Sequence, residues 1–207
     1  MILCPQSRRA LILIVLAFAA AGAAGAGTIV YTFSGDLSGT LGTTPFDNAP
    51  FVWTVIADTG GVTSPKSQRY ENVGSSSDID IGGIGDADFT ELIAAYIDQR
   101  SGHGDVLLAD SAVSEEGIGL VDPADVDGWL LATSLGPITG ADEFLSMGPL
   151  TTSDGDLTIT GASNLTFQAS VPEPATTGLA SIGLGALFLF GFVGRVFNPR
   201  PVSSRPR

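Results

Sequence analysis

Two clusters of carboxylates are the residues of this sequence that most readily suggest chemistry. They comprise Asp78, Asp80, Asp86, Asp88 and Glu91 in one glycine-rich stretch, and Asp122, Asp125 and Asp127 in another. Carboxylates in loops suit Ca²⁺, which takes about 6–8 oxygen ligands in a flexible geometry. The EF-hand pattern fails, because the twelfth position counted from Asp78 is Phe89 instead of a bidentate Glu. Asp78, Asp80, Asp86 and Asp88 are therefore Ca²⁺ candidates beside a plainer alternative, a solvated acidic surface in which Asp forms turns.

The segment "SGHGD" places Ser101, His103 and Asp105 at alternate positions and invites comparison with a catalytic triad. Residues this close in sequence rarely reach triad geometry, and the chain has no G-x-S-x-G nucleophile elbow. His103 is the single histidine, so a site that needs two or three histidines cannot be built. We predict no catalytic residue. A pair of carboxylates for polysaccharide hydrolysis stays open as an alternative, because spacing in sequence does not show proximity in space.

The charge of the chain is unevenly distributed. Between residues 27 and 170 three basic residues, Lys66, Arg69 and Arg100, face 21 acidic ones, a balance of −18. Such a field repels phosphate backbones, which excludes nucleic acid as a partner. It favours solubility and the attraction of divalent cations or basic surfaces.

The N-terminus has the three parts of a secretory signal peptide. "MILCPQSRR" is a basic start, "ALILIVLAFAAA" is apolar, and Ala24-Gly25-Ala26 fits the small-residue rule for signal peptidase. We place the cut after Ala26, so that residues 1–26 are removed, with Ala23 as a nearby alternative position. An uncleaved anchor is the other alternative. Cys4, the single cysteine, leaves with this segment, and the exported protein then has no thiol and no disulfide.

The C-terminus combines a rigid step, an apolar run and a basic tail. Pro172 and Pro174 fix φ on both sides of Glu173, which makes an extended spacer that no regular helix or ladder can include. Residues 175–194 carry no charge and are long enough for a transmembrane helix. By the positive-inside rule the tail, residues 195–207, is a cytoplasmic basic stop formed by Arg195, Arg200, Arg205 and Arg207.

This order of Val171-Pro172-Glu173-Pro174, uncharged span and arginine-bearing tail resembles the PEP-CTERM protein-sorting signal. The resemblance implies a Gram-negative host that makes exopolysaccharide, and recognition by exosortase, a membrane-embedded transpeptidase-like enzyme that cleaves near the motif. It covers residues 171–207. A permanent single-span anchor remains the alternative, whereas a GPI signal lacks the basic stop. "FSGDLSGTLGTTPF" and "GWLLATSLGPITG" also look like an ectodomain that recurs among short PEP-CTERM proteins.

Between the two signals, residues 27–170 predict a mostly β domain. β-Branched and aromatic residues alternate with polar ones in "TIVYTFSG" and "PFVWTVIAD", and "SDIDIGG", "GDVLLAD" and "DGWLLAT" predict further short strands. "DGDLTITGASNLTFQAS" predicts a hairpin that turns at "GASN". "LIAAYID" fits a buried strand or a helix, and its β-like neighbours favour the strand. We expect an antiparallel, jelly-roll-like β-sandwich.

Together these features predict an exported, non-enzymatic protein of the cell surface or extracellular matrix, associated with exopolysaccharide or a biofilm. It would be tethered to the inner membrane and then processed by exosortase, after export by the general secretion machinery and signal peptidase. The alternatives are a permanently anchored envelope protein and an exported polysaccharide-active hydrolase. No cofactor is expected apart from the Ca²⁺ alternative. Asn164-Leu165-Thr166 matches a glycosylation sequon, which we expect to be unused in a bacterium.

Overall fold

A computed structural model describes residues 27–99, 104–112, 117–121, 123, 126–145 and 148–172. Every regular element in these ranges is a β-strand, and none of the described residues form a helix able to cross a membrane. The chain divides into two compact units, Met1–Pro172 and Glu173–Arg207. All described residues belong to the first unit. The predicted signal peptide, span and basic stop lie outside the described residues.

Seven strands form sheet A, in the order β10-β13-β1-β2-β5-β6, with β12 paired to β13. Its centre is made of three long antiparallel strands, β13, β1 and β2, because β1, 14 residues long, pairs with β13 on one side and with β2 on the other. The members are β1 (Thr28–Leu41), β2 (Thr44–Asp58), β5 (Ser76–Ile81), β6 (Gly85–Asp88), β10 (Leu135–Thr139), β12 (Leu150–Thr152) and β13 (Gly155–Ser170).

Six strands form sheet B, in the order β11-β9-β8-β7-β4-β3. All of its pairs are antiparallel, and β7, β8 and β9 follow one another as a meander. The members are β3 (Thr63–Lys66), β4 (Arg69–Val73), β7 (Ile93–Asp98), β8 (Asp105–Asp110), β9 (Gly117–Val121) and β11 (Ala141–Leu145).

The prediction of a mostly β, antiparallel fold is confirmed, and the two sheets are consistent with a sandwich. The predicted jelly-roll-like topology does not match the observed strand order. The chain places hairpin pairs in alternating sheets: β1 and β2 in sheet A, β3 and β4 in sheet B, then β5 and β6 in sheet A. Neighbours are therefore mostly successive strands, because short turns hold them together before the chain changes sheets.

Alternating side chains of sheet A fill the main core. Ile29, Tyr31 and Phe33 on β1 are fully buried, while the residues between them lie on the outer face. Trp53 and Val55 continue this pattern on β2. Burial of side chains of this size contributes roughly 1.5–3 kcal/mol each, which makes the register of β1 the main determinant of the core.

Strand β7 is buried on both faces, which explains why "LIAAYID" has no clean alternation. Ile93, Ala95 and Ile97 join the main core, whereas Ala94 and Tyr96 form a second cluster with Leu107 and Ala109 of β8. The prediction of a strand over a helix is confirmed here. Sequence alone left the choice open because a strand buried on both faces and a buried helix are both continuously apolar.

A buried hydrogen-bond chain connects the two sheets. Asn72 on β4 donates its Nδ2 to the Tyr31 hydroxyl at 2.6 Å and to the carbonyl oxygen of Asp58 at 3.0 Å. The Tyr31 hydroxyl in turn donates to the carbonyl oxygen of Leu131. Burial raises the pKa of Tyr31 well above its ordinary value of 10, so the hydroxyl keeps the proton that it donates. Three parts of the chain thus meet at one hydroxyl.

The strand predicted for residues 127–133 is wrong. Trp129 and Leu131 are buried, as their alternation suggests, but the segment forms a turn followed by bends. Leu131 has a φ of 60°, which a strand does not allow. Two hydrogen bonds hold this conformation. The Leu131 carbonyl accepts a bond from the hydroxyl of Tyr31, which is 100 positions away in sequence. The Trp129 indole N–H donates to the Thr133 carbonyl at 3.0 Å.

The hairpin predicted for residues 154–170 is also wrong, because β13 runs through "GASN" as one strand of 16 residues. The pairing of β1 with β13 shifts at this point, where Asn164 adopts a φ of 54°. The carboxylate of Asp142 on β11 accepts the N–H groups of Asn164 and Leu165 at 2.8 and 2.9 Å. Gly161, Ala162 and Ser163 stay paired with β1, and the irregularity is a bulge at Asn164 and Leu165 and not a turn. The long partner β1 and the Asp142 carboxylate keep the strand in the sheet.

We expect Tyr31→Phe to lower the free energy of unfolding by about 1–3 kcal/mol, because it leaves the Leu131 carbonyl without its donor inside the core. Urea denaturation followed by tryptophan fluorescence measures this, since Trp53 and Trp129 are both buried. Tyr70→Phe is the matched control. Tyr70 only packs partly buried against the core, so its loss of a hydroxyl should change stability by no more than about 0.5 kcal/mol. Equal effects of the two substitutions would contradict the assignment.

Candidate functional site

The C-terminal end of β13 carries the start of the predicted sorting motif. Ala169 pairs with Tyr31 on one side and with Leu135 of β10 on the other, and Ser170 pairs with Val30. Because β13 lies between β10 and β1, its main chain has neighbours on both sides up to Ala169. The motif therefore begins directly after an internal strand of sheet A and has no preceding linker.

Val171, the first residue of the motif, is still part of the folded domain. Its N–H donates to the Ser134 hydroxyl at 2.9 Å, and its side chain packs partly buried against the main core. Pro172, the next residue, is exposed. We call Ser134, Ser170, Val171 and Pro172 the sorting junction. The fold ends between the valine and the first proline of the motif.

The N-terminal end of the described chain lies beside this junction. The N–H of Gly27 donates to the Thr59 hydroxyl at 2.9 Å, and the Thr59 N–H returns a bond to the Gly27 carbonyl at 2.8 Å. A Cβ placed on Gly27 would lie 4.0 Å from Cγ1 of Val171. If signal peptidase cuts after Ala26, the new N-terminus and the start of the motif are neighbours. Ala24, Ala26, Glu173, Pro174 and the four arginines of the basic stop lie outside the described residues.

The first acidic cluster folds into a ladder across β5 and β6. Asp78 lies opposite Asp88, and Asp80 lies opposite Asp86. The intervening Ile79 is buried in the core, which places the four carboxylates on the outer face of sheet A. We call these four residues the acidic ladder. Like charges directly opposite each other in a ladder destabilise the pair.

The environment of the acidic ladder raises the pKa of Asp78. Burial raises this pKa above its ordinary value of 3.8, and the neighbouring charges of Asp88 and Asp86 raise it further. Glu91, sequence neighbour of the ladder, is engaged elsewhere, since its carboxylate accepts the N–H of Thr151 at 2.9 Å. Burial raises the pKa of Glu91 despite that bond. The ladder is a site of accumulated negative charge.

The geometry does not gather these carboxylates around one point. In the part of the chain that the structure describes, no group of three or more His, Cys, Asp or Glu side chains is arranged to hold a metal ion. The sequence offers Asp78, Asp80, Asp86 and Asp88 as one group of Ca²⁺ candidates, but the pairing register arranges them as two opposed pairs. Of the second acidic cluster, Asp122 and Asp125 lie outside the described residues. The Ca²⁺ alternative thus rests on sequence alone.

The remaining candidates from the sequence are the residues of "SGHGD" and the sequon residue Asn164. Ser101 and His103 lie outside the described residues, and Asp105 begins β8 opposite Asp98. Asn164, the sequon residue, is exposed, and its amide nitrogen Nδ2 donates to Asp36 at 2.8 Å. A glycan on Asn164 would be attached at this nitrogen.

A cleft of about 290 Å³ opens between the end of β2 and the turn that joins β4 to β5. Its lining includes one carboxylate, that of Asp58, which accepts the N–H of Gly60 at 2.7 Å. The acidic ladder lies on other residues, on the outer face of sheet A. The complete lining is Thr28, Ile56, Ala57, Asp58, Val73, Gly74 and Ser75.

Sequence reasoning missed two residues of the region around the junction. Ser134 holds Val171 across 37 positions of sequence, and Asp142 holds the β13 bulge across 22 and 23 positions. Neither residue belongs to a local pattern, since "ATSLG" and "TGADE" are common turn-like sequences. Only the strand order brings these side chains to their partners.

Comparison with known proteins finds one similarity. Residues 170–196 match the family of the PEP-CTERM protein-sorting motif. No curated protein and no solved structure matches the chain. The match begins at Ser170, the last residue of β13, and includes Arg195. The predicted sorting motif is thus confirmed, and it starts where the regular structure of the domain stops.

We expect the domain to become more stable as the pH falls from 7. The pKa values of Asp78, Glu91 and Glu143 are raised, foremost by burial, so the folded state binds these protons more tightly than the unfolded state. Stability is therefore gained as the pH falls through the raised values toward the ordinary ones of 3.8 for Asp and 4.5 for Glu. Urea midpoints measured between pH 7 and pH 4 test this sign; a steady fall in the midpoint on acidification would contradict it.

At pH 7 we expect Asp88→Asn to raise the free energy of unfolding by about 0.2–1 kcal/mol, because it removes the charge opposite Asp78. The gain should shrink as the pH falls, since protonation then removes the same repulsion. Asp127→Asn, at an exposed turn, is the matched control and should have little effect. A loss of stability in Asp88→Asn would show that the carboxylate makes a favourable contact instead.

Proposed function

From the sorting motif, we propose that this protein is a structural component of the cell surface or extracellular matrix, delivered there by exosortase. The motif itself indicates an exported protein that passes through the membrane and is sorted by exosortase. The proposal adds that the domain has a non-enzymatic role and that it associates with exopolysaccharide in a biofilm. The observation that carries it is the motif match at residues 170–196, adjoining a complete folded domain.

The proposed path has two cuts. Signal peptidase removes residues 1–26 after export by the general secretion machinery, and the span at residues 175–194 holds the precursor in the inner membrane. Exosortase then breaks one peptide bond near the motif. Its nucleophile takes the acyl carbon, the C-terminal fragment leaves with a free amino group, and water or an amine acceptor takes the acyl group. The domain leaves the membrane and the basic stop stays behind.

The edges of both sheets support a role outside the cell. Edge strands offer unpaired main-chain groups that promote aggregation, and charges or prolines on the edge prevent it. Edge strand β6 carries Asp86, edge strand β3 carries Pro65 and Lys66, and edge strand β10 carries Pro137. These devices suit a domain that must stay folded without chaperones and next to many copies of itself.

The strong negative charge of residues 27–170 supports the same proposal. Self-repulsion keeps copies apart and hydrated, which favours solubility in a dense matrix. The proposed role requires no cofactor.

We expect the intact mass to depend on exosortase. Protein recovered from the matrix of the wild-type host should lack the apolar run and end near Val171–Pro174. In a strain without exosortase the protein should keep Arg207 and stay in the membrane fraction. Mass spectrometry of both fractions measures this. A chain that keeps Arg207 in the membrane of both strains would establish the permanent anchor instead.

The matrix role needs its own measurement. We expect the processed protein to sediment with isolated exopolysaccharide, and to be released when the polysaccharide is digested. The control is a secreted acidic protein of similar size from the same host. Processed protein found entirely in the culture fluid would leave sorting by exosortase intact and overturn the association with exopolysaccharide.

A further inference from the structure

The distance along the chain between the fold and the predicted membrane span is very short. The N–H of Val171 is bound to Ser134, and just Pro172, Glu173 and Pro174 separate this residue from the uncharged run that begins at Ala175. A membrane-embedded enzyme that reads this motif has no free linker on its N-terminal side. Any residue it needs upstream of Pro172 must come out of sheet A.

Enzymes that process peptides commonly bind them as extended strands through main-chain hydrogen bonds. In β13 those groups already face partners on both sides, with β1 along its length and with β10 at Ala169. Ala169 and Phe167 are also buried in the core. Pulling out Ser170 and the residues before it would therefore expose the core. Releasing Val171 breaks one hydrogen bond to an exposed serine and gives up the packing of one partly buried side chain.

We infer that the hydrogen bond from Val171 to Ser134 limits exosortase processing: the cut falls on the C-terminal side of Val171, and opening of this bond sets how often the enzyme engages the motif. The inference rests on the proposed function and adds a physical reason for a cut beyond Val171 and a positioning residue, Ser134. The mature protein keeps all of β13, so the domain is released without loss of core residues.

The position of the cut is tested by the intact mass of the processed full-length protein from its own host. The expected C-terminal residue is Val171, Pro172, Glu173 or Pro174. A product ending at Ser170 or earlier would overturn the inference while leaving sorting by exosortase established. If no strain yields a shortened form, both the proposed function and the inference fail.

The role of Ser134 is tested by pulse–chase in a strain where exosortase is limiting. Ser134→Ala removes the acceptor of the Val171 N–H, and the processed form should appear up to about fivefold faster, with the cut unmoved. Ser134→Thr keeps a hydroxyl at this position and should return the rate toward that of the wild type.

Ser153→Ala is the matched control at the opposite end of β13. Its hydroxyl also accepts a main-chain N–H, that of Asp88 at 3.1 Å, so the same kind of bond is lost far along the strand from the junction. The processing rate of this variant should equal that of the wild type. Equal rates for Ser134→Ala and Ser153→Ala, or acceleration in both, would overturn the inference.

Discussion

The hydroxyl of Tyr31 joins the parts of the chain on which the sorting junction depends. It lies between Asn72 of sheet B and the Leu131 carbonyl, and its ring stacks on Phe167 of β13 at 6.3 Å between centroids. Leu131 leads directly to Ser134, whose hydroxyl accepts the N–H of Val171. A buried group of this kind is favourable only while every partner is present. The interior of the domain and the place where it ends are thus fixed by one connected set of bonds.

The sequence predicts those parts of the fold that depend on local alternation. β1 and β2 have regularly spaced Ile, Tyr, Phe, Trp and Val, and these residues form the core. The two errors in secondary structure lie where a distant partner overrides the local pattern. Leu131 breaks the predicted strand because Tyr31 binds its carbonyl, and Asn164 forms a bulge because Asp142 holds the main chain there. Contacts across 100 and 22 positions leave no trace in a short window of sequence.

In the candidate site too, the sequence predicts what is local and misses what depends on strand pairing. A sorting motif can be recognised from sequence because an enzyme reads consecutive residues. Val171 to Pro174 are therefore predicted as a motif together with the uncharged run and the arginines that follow them. Ser134 was not found, because its relation to Val171 exists only once β10 pairs with β13. For the acidic ladder, the sequence predicts the cluster of residues but not their pairing. Asp78, Asp80, Asp86 and Asp88 were recognised as a cluster, but the register of β5 on β6 decides that they form two opposed pairs.

The proposed export at one end and release at the other would place a specific demand on this fold. Both ends of the domain must leave it without disturbing the core, and β1 and β13 meet this demand by pairing as antiparallel neighbours. Val30 lies opposite Ser170, which brings Gly27 beside Val171. The strands that carry the two ends, β1 and β13, are 14 and 16 residues long and both contribute fully buried side chains to the core. Fraying at either end therefore stops within a few residues, since further opening would expose Tyr31 and Phe167, and a cut near either end leaves the sandwich intact.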